Sequence, residues 1–243
     1  MPSRADVFLV ENGYAATRAE AQAAIRVGNV VADGVPVSKP SQPIEEGAVI
    51  VYAKAHPYVS RGAMKLIAAL NHFGLSPEGL TCIDIGASSG GFTEVLLERG
   101  AQRVYAVDVG HGQLHPKIAA DPRVIRLEGV NARDLAPGRI AEDVDVVVAD
   151  VSFIGLRLVL PPSLKRVRPG GWLVALIKPQ FEVGREWVGK GGLVKDEAVR
   201  DEALKAIVGW LGGQSGWSVL GTLESPIKGG DGNREYLVGA RRV

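Results

Sequence analysis

Ile83-Asp84-Ile85-Gly86-Ala87-Ser88-Ser89-Gly90-Gly91-Phe92 is the stretch on which the fold turns. The apolar run Leu80–Ile85 lacks polar alternation, as expected of a parallel strand buried on both faces. The turn behind it is crowded with Gly86, Gly90 and Gly91, which lets a ligand approach the backbone where side chains would block it. A helix expected at 91–99 then offers unpaired N–H groups. A dinucleotide site would show G-x-G-x-x-G to hold a pyrophosphate. Here the spacing is G-x-x-x-G-G with Asp84 ahead of it, which suits a zwitterionic, sulfonium-bearing ligand better than a phosphate.

Working outward, further strands are expected at Arg103–Asp108, Val124–Glu128, Val144–Ala149 and Trp172–Ile177, with helices at about 155–167 and 196–211. Asp108 falls twenty-two residues after Gly86, at the end of the second strand, placed to accept hydrogen bonds from ribose hydroxyls. Asn131-Ala132-Arg133 follows the third strand, where contacts to an adenine edge come from. Trp217–Leu223 and Glu235–Arg241 are joined by a Gly-rich link with no helix between them, so they read as an antiparallel hairpin closing an otherwise parallel sheet. This α/β, Rossmann-like layout with a terminal hairpin resembles the class I methyltransferases. The resemblance implies S-adenosyl-L-methionine held by Asp84, Gly86, Ala87, Ser88, Ser89, Gly90, Gly91, Phe92, Asp108, Asn131 and Arg133.

Four polar residues stand at the ends of elements, where such sheets place their chemistry. Lys65 lies on a helix expected before the first strand, Asp150 follows Val144–Ala149, Lys178 follows Trp172–Ile177, and Glu235 enters the last strand. Methylating an oxygen requires in-line positioning and removal of the hydroxyl proton. A lysine serves as the base once burial or a neighbouring cation favours its neutral form. Lys178 is the expected base, Lys65 its electrostatic partner, Asp150 the residue beside the methyl group, and Glu235 the residue that holds the array.

Residues 1–52 form a pattern of their own. Val7, Leu9 and Val10 sit in a helical stretch ending at Asn12-Gly13. Thr17-Arg18-Ala19-Glu20 is a capping box opening a second helix. Val30–Val37 reads as a hairpin turning on Asp33-Gly34, and a last strand is expected at Val49–Tyr52. So small an α+β unit usually binds something rather than catalysing. Ser3-Arg4, Thr17-Arg18-Ala19, Ile25-Arg26, Gly28, Asp33-Gly34 and Lys39-Pro40 resemble the RNA-binding module first known from the fourth small-subunit ribosomal protein. That resemblance implies RNA contacts from Arg4, Arg18, Arg26 and Lys39, to which Arg61 of the large domain is added. Against it, residues 1–57 hold five Lys/Arg and six Asp/Glu, so binding depends on the arginines sharing one face. Residues 53–57 read as a linker and 58–243 as the catalytic domain.

Other chemistries fit less well. Asp150-Val151-Ser152-Phe153 lacks the Pro-Pro of amino-group methyltransferases. Carbon-5 pyrimidine chemistry needs a late nucleophilic cysteine, and the single Cys82 lies inside the first strand. His111 and His115 share an i, i+4 spacing but lack a third ligand, so no metal is expected. Phe153 and Phe181 adjoin the catalytic ends, where they could contact a flipped base or pack in the core. A lone buried cysteine, no secretory h-region and no long apolar span lead to an expected cytoplasmic location. The order Lys65, Asp150, Lys178, Glu235 resembles the tetrad of the FtsJ-like ribose 2′-O-methyltransferases. With the front module, and with Val183-Gly184-Arg185 and Gly191-Gly192-Leu193-Val194, the chain resembles the TlyA (hemolysin A-like) family. The resemblance implies 2′-O-methylation of cytidine in rRNA, free or in a ribosomal subunit. At 243 residues it implies a shorter, large-subunit-only member. The alternatives are a non-catalytic ribosome-assembly factor and a membrane-active hemolysin.

Overall fold

The computed structural model describes residues 2–135 and 138–243. The chain forms two compact units, Met1–Pro57 and Tyr58–Val243.

In the first unit, β1 (Ser3–Arg4) leads into α1 (Ala5–Glu11) and α2 (Arg18–Arg26), followed by β2 (Val30–Ala32), β3 (Val35–Pro36), β4 (Pro43–Ile44) and β5 (Ile50–Tyr52). α1 ends at Asn12 and Gly13, whose φ of +75° reverses the chain. Thr17 caps α2 by accepting the Glu20 N–H, but the Glu20 carboxylate reaches back to the N–H of Ala16 rather than Thr17. Asp33 and Gly34 both take positive φ, 48° and 79°, as a tight hairpin turn requires, and β2 pairs with β3 and β5. The β1–β4 pair is an addition to the sequence reading. Phe8, Leu9, Ile25, Val30, Val37 and Ile44 close a small core. The segment after β5 stays tied to this unit, since Ala53 N–H donates to Asn29 O and Lys54 pairs with Glu20.

The second unit is a seven-stranded sheet between helices. It runs α3 (Gly62–Phe73), β6 (Thr81–Ile85), α4 (Gly91–Glu98), β7 (Arg103–Asp108), α5 (Pro116–Ala119), β8 (Val124–Glu128), β9 (Val144–Ala149), α6 (Leu156–Val159) and α7 (Pro161–Leu164). It continues with β10 (Val167–Ile177), α8 (Pro179–Glu182), α9 (Glu197–Gly212), β11 (Trp217–Glu224) and β12 (Tyr236–Arg242). Strand order is β11-β12-β10-β9-β6-β7-β8, with β12 running opposite to the other six. The terminal hairpin therefore inserts its second strand between β10 and β11. Successive strand residues face opposite layers. Cys82, Val146, Val148 and Val174 pack under Leu66, Leu70, Phe92 and Leu96 of α3 and α4. Ile83, Ile85, Val147 and Ala149 pack under Leu156, Leu160, Ile207 and Leu211 of α6 to α9.

Two expectations need correction. The helix expected at 155–167 is two short ones, because Pro161 and Pro162 cannot donate to the preceding turn. β10 starts at Val167, five residues early, with an irregular register up to Trp172. Gly171 allows this, since a Cβ there would collide with the Asp145 carbonyl oxygen. Cys82 is a buried core residue whose thiol burial pushes up.

Candidate active site

The parallel order places the tips of β6, β7, β9 and β10 side by side, and the functional side chains gather there. A cavity of about 450 Å³ opens beside the β6 turn. Its wall carries Gly86, Ser88, Asp108 and Asn131 from the sequence reading, together with Asp150. Asp108 accepts the Ser88 N–H at Oδ2 and the Gly110 N–H at Oδ1, each at 2.8 Å, so the carboxylate is rigidly aimed with lone pairs to spare. The remaining lining is largely apolar: Val109, Val130, Val151, Ile154 and Val159. The sequence reading missed these residues. The usable signal was the position of Val109, an apolar residue directly after Asp108 at a strand end.

Several expected cofactor residues serve the wall from behind. Asp84 does not line the cavity. It is fully buried on the α3–α4 side of β6, where its Oδ2 accepts the Thr93 hydroxyl at 2.6 Å. Burial pushes its carboxyl up to about 7. Ala87, Ser89, Gly90, Gly91 and Phe92 likewise lie outside the lining, Phe92 being a core residue under α3. Arg133 is exposed and donates to Asn131 Oδ1 at 3.2 Å, fixing Asn131 rather than touching the cavity.

A Cβ at any of the three glycines Gly86, Gly90 and Gly91 would meet protein, and Gly86 lines the cavity as well. A Cβ on Gly86, at φ +79°, would lie 2.5 Å from the Asp150 carbonyl oxygen. One on Gly91 would lie 2.8 Å from Ser60 Cβ, and one on Gly90, 3.0 Å from Leu114. The turn is small so that the β9 tip and the segment ahead of α3 close onto it. That segment is pinned by a contact the sequence did not signal: buried Glu94 accepts the Val59 N–H at 2.7 Å and the Lys117 ammonium at 2.7 Å.

Lys65, Asp150, Lys178 and Glu235 come together. Lys65 Nζ lies 2.5 Å from Glu235 Oε2 and 3.8 Å from Asp150 Oδ2, and Lys178 Nζ lies 2.6 Å from Asp150 Oδ1. Lys178 also donates to Ser152 Oγ at 2.9 Å, a partner missed in the sequence. Lys65 sits on α3 facing the sheet, and Glu235 immediately precedes β12, next to β10 and Lys178. Lys65, Lys178 and Glu235 are buried.

A second cavity of about 370 Å³ is bordered by Lys178, Glu235, Gln180, Asp231, Phe153 and Phe181. Phe153 is 91% exposed at φ +67°, and its ring centroid is 5.2 Å from that of Phe181. A bulky exposed residue in the left-handed region is strained, and such strain gathers at functional sites. Arg61 lies beside the Gly229–Gly232 loop, its Nη2 3.3 Å from where a Gly230 Cβ would stand. His115, set aside as a metal ligand, caps α5 by accepting the Lys117 N–H.

In the first unit, the Asp6 carboxylate receives Arg4 at 3.0 Å and Arg18 at 2.8 Å, and Arg26 donates to Gln22 at 3.2 Å. Lys39 precedes Pro40, whose carbonyl accepts the Asp6 N–H. Arg4, Arg18 and Arg26 therefore belong to one network through Asp6 and Gln22, despite the unit's net negative charge.

The model of the FtsJ-like methyltransferases matches residues 58–242, and that of the S4 domain matches residues 3–50. The 16S/23S rRNA (cytidine-2′-O)-methyltransferase TlyA of Mycobacterium tuberculosis is 44% identical, over 98% of this chain and 90% of its own. Hemolysin A of Brachyspira hyodysenteriae is 40% identical, over 96% of this chain and 98% of its own. A hemolysin-named protein of Streptococcus thermophilus superposes on all of this chain and 89% of its own, with a TM-score of 0.79 and 40% identity. The chain belongs to the TlyA (hemolysin A-like) family of FtsJ-like methyltransferases, with an S4 domain ahead of the catalytic unit.

Proposed function

We propose that this protein transfers a methyl group from S-adenosyl-L-methionine to the ribose 2′-oxygen of a cytidine in rRNA, in the cytoplasm, with the S4 unit binding the RNA. The observation that carries the reading is the convergence of two buried lysines on Asp150 between two cavities. Buried charges are costly unless paired, and this array is held by a carboxylate on each side of Lys65.

The first cavity suits the cofactor. Its volume falls in the range of small-molecule sites, about 300–1,000 Å³, and it joins an apolar wall to a fixed carboxylate. Asp108 would hold the ribose hydroxyls, Asn131 and the valines the adenine, and the backbone of Gly86 and Ser88 the amino-acid end. The cofactor, when bound, supplies an electrophilic methyl group.

The chain's own residues do the rest. The second cavity receives the nucleotide with its 2′-hydroxyl toward Lys178. Lys178 accepts the hydroxyl proton at its Nζ, with Asp150 and Ser152 orienting that nitrogen. Asp150 fixes both lysines, and Glu235 fixes Lys65. Phe153 and Phe181 offer ring faces to an unstacked base, and Arg61 a guanidinium to its backbone.

The experiment is radiolabelled methyl transfer to separated ribosomal subunits and to their naked rRNAs, followed by complete digestion to nucleosides. Label in 2′-O-methylcytidine supports the reading. Label that stays with the base, or no label, overturns it. The same digest reads whether the large subunit alone is modified, as the sequence reading expected, or both, as the name of the Mycobacterium relative states for that protein. Among the described residues no helix is long and apolar enough to cross a membrane.

A further inference from the structure

The side chain of Asp6 is fully buried in a small unit with an excess of acids, yet it is paired with two half-exposed arginines. Its Oδ1 accepts Arg4 Nε at 3.0 Å. Its Oδ2 accepts Arg4 Nη2 at 3.3 Å, Arg18 Nη2 at 2.8 Å and Gln22 Nε2 at 2.8 Å. The donors come from β1 and from two turns of α2, so one carboxylate fixes side chains that the backbone places separately. The network runs on through Gln22 Oε1 to Arg26. The guanidiniums hold the Asp6 carboxyl well below the usual carboxylate range.

The arginines are not consumed by this contact. Their side chains remain 51% and 58% exposed. A guanidinium has five N–H donors in a rigid fork. Arg4 spends one edge on Asp6 and Arg18 spends one nitrogen, which leaves donors free on both. An arginine loses rotamer freedom when it grips a phosphate, and a side chain already held in place has less to lose.

We propose that Asp6 is a positioning residue for RNA, an acid that strengthens binding to a polyanion by pre-aiming Arg4 and Arg18. The inference rests on the reading of this unit as RNA-binding. It makes a prediction opposite in sign to simple electrostatics, under which removing a negative charge from a phosphate-binding face tightens the complex.

The test measures the affinity of the intact protein for a protein-free large-subunit rRNA transcript across a salt series. The parent is compared with Asp6→Asn, Gln22→Met, Arg4→Gln/Arg18→Gln and the triple variant. Asp6→Asn is expected to bind about tenfold more weakly, the cost of ordering two long side chains, with a shallower slope of log K against log salt. At saturating RNA its kcat stays parental while KM rises. In the Arg4→Gln/Arg18→Gln background the same substitution should change affinity by less than about twofold, since its effect runs through those arginines. Parental or tighter binding by Asp6→Asn, or a full additional loss in that background, overturns the proposal. If circular dichroism shows that Asp6→Asn fails to fold, Gln22→Met decides. This variant changes no charge and is expected to lose about threefold, from one rotamer-rich contact. Parental affinity there overturns the proposal. A parent that does not bind the transcript, in contrast, refutes the RNA-binding reading of the unit itself.

Discussion

Asp150 Oδ1 lies 2.6 Å from Lys178 Nζ, while the other oxygen of the same carboxylate lies 3.8 Å from Lys65 Nζ. One carboxylate thus spans the two lysines, but unevenly: it contacts the expected base and stands farther from the lysine that Glu235 already holds. The pairing distinguishes the two lysines, for Lys178 borders the second cavity and Lys65 does not.

The first prediction concerns the base. Lys178→Ala is expected to lower kcat by about 10²–10⁴-fold, the usual contribution of a positioned proton acceptor, with little change in cofactor affinity. Lys178→Arg should not rescue it, because a guanidinium does not lose its proton. Single-turnover methyl transfer at saturating rRNA measures both. An arginine variant with parental kcat would remove proton abstraction from the mechanism.

The second prediction concerns the buried pair. Lys65 and Glu235 keep 6% and 3% side-chain exposure, so removing one partner strands the other charge in the interior. Glu235→Ala should destabilise the second unit by about 3–5 kcal/mol. Lys65→Met/Glu235→Leu, which removes both charges, should recover much of that loss and remain inactive. Urea unfolding followed by tryptophan fluorescence reads the stability.

The outline of the site was legible in the sequence for a physical reason: parallel strands covered on both faces are largely apolar, so a polar residue ending one is conspicuous. Asp108, Asp150 and Lys178 were found this way, and β7, β8 and β9 were bounded correctly for the same reason. What stayed hidden was contact across the chain. Nothing in the string shows that Asp84 faces α4 rather than the cavity, or that Glu94 holds Val59. The proline pair at 161–162 was visible, but the helical period around it masked the break. In the first unit, counting charges hid the fact that one of the acids, Asp6, is buried beneath the arginines.

The third prediction follows from the glycine turn. Gly86→Ala would put a Cβ 2.5 Å from the Asp150 carbonyl at φ +79°. The left-handed backbone costs about 1–2 kcal/mol and the overpacking a further 1–3 kcal/mol. Because the displaced group is Asp150, kcat should fall more than cofactor affinity. Calorimetry with S-adenosyl-L-methionine alongside the transfer assay separates the two. Parental turnover in a destabilised variant would show that the contact serves the fold alone.

The fourth prediction is a pH dependence. Glu182 accepts the Leu156 N–H at 2.8 Å and so ties the segment after Lys178 to the loop after Asp150. Burial pushes its carboxyl up to about 7. An acid raised in the folded state is favoured there in its protonated form, so folding stability declines as pH rises from the ordinary carboxylate range through about 7 and then levels off. Glu182→Gln keeps an acceptor for Leu156 and cannot ionise. The stability of the parent relative to this variant should therefore fall across that window. The raised Asp84 contributes a slope of the same sign to both proteins and cancels in the difference. A flat difference from pH 4.5 to 7.5 would refute the shift at Glu182.

The fifth prediction uses the strain at Phe153. The ring is 91% exposed, so replacing it forfeits little burial, and its φ of +67° penalises a bulky residue. Phe153→Asn suits the left-handed region better, so thermal stability should hold or rise. If the ring stacks on the base beside the transferred methyl, the same change should cost kcat/KM about 5–150-fold, the equivalent of roughly 1–3 kcal/mol of base–aromatic stacking. A strained residue kept for structure would behave the other way, losing stability and leaving kcat/KM intact. The two outcomes are opposed, and melting curves with initial rates on rRNA decide between them.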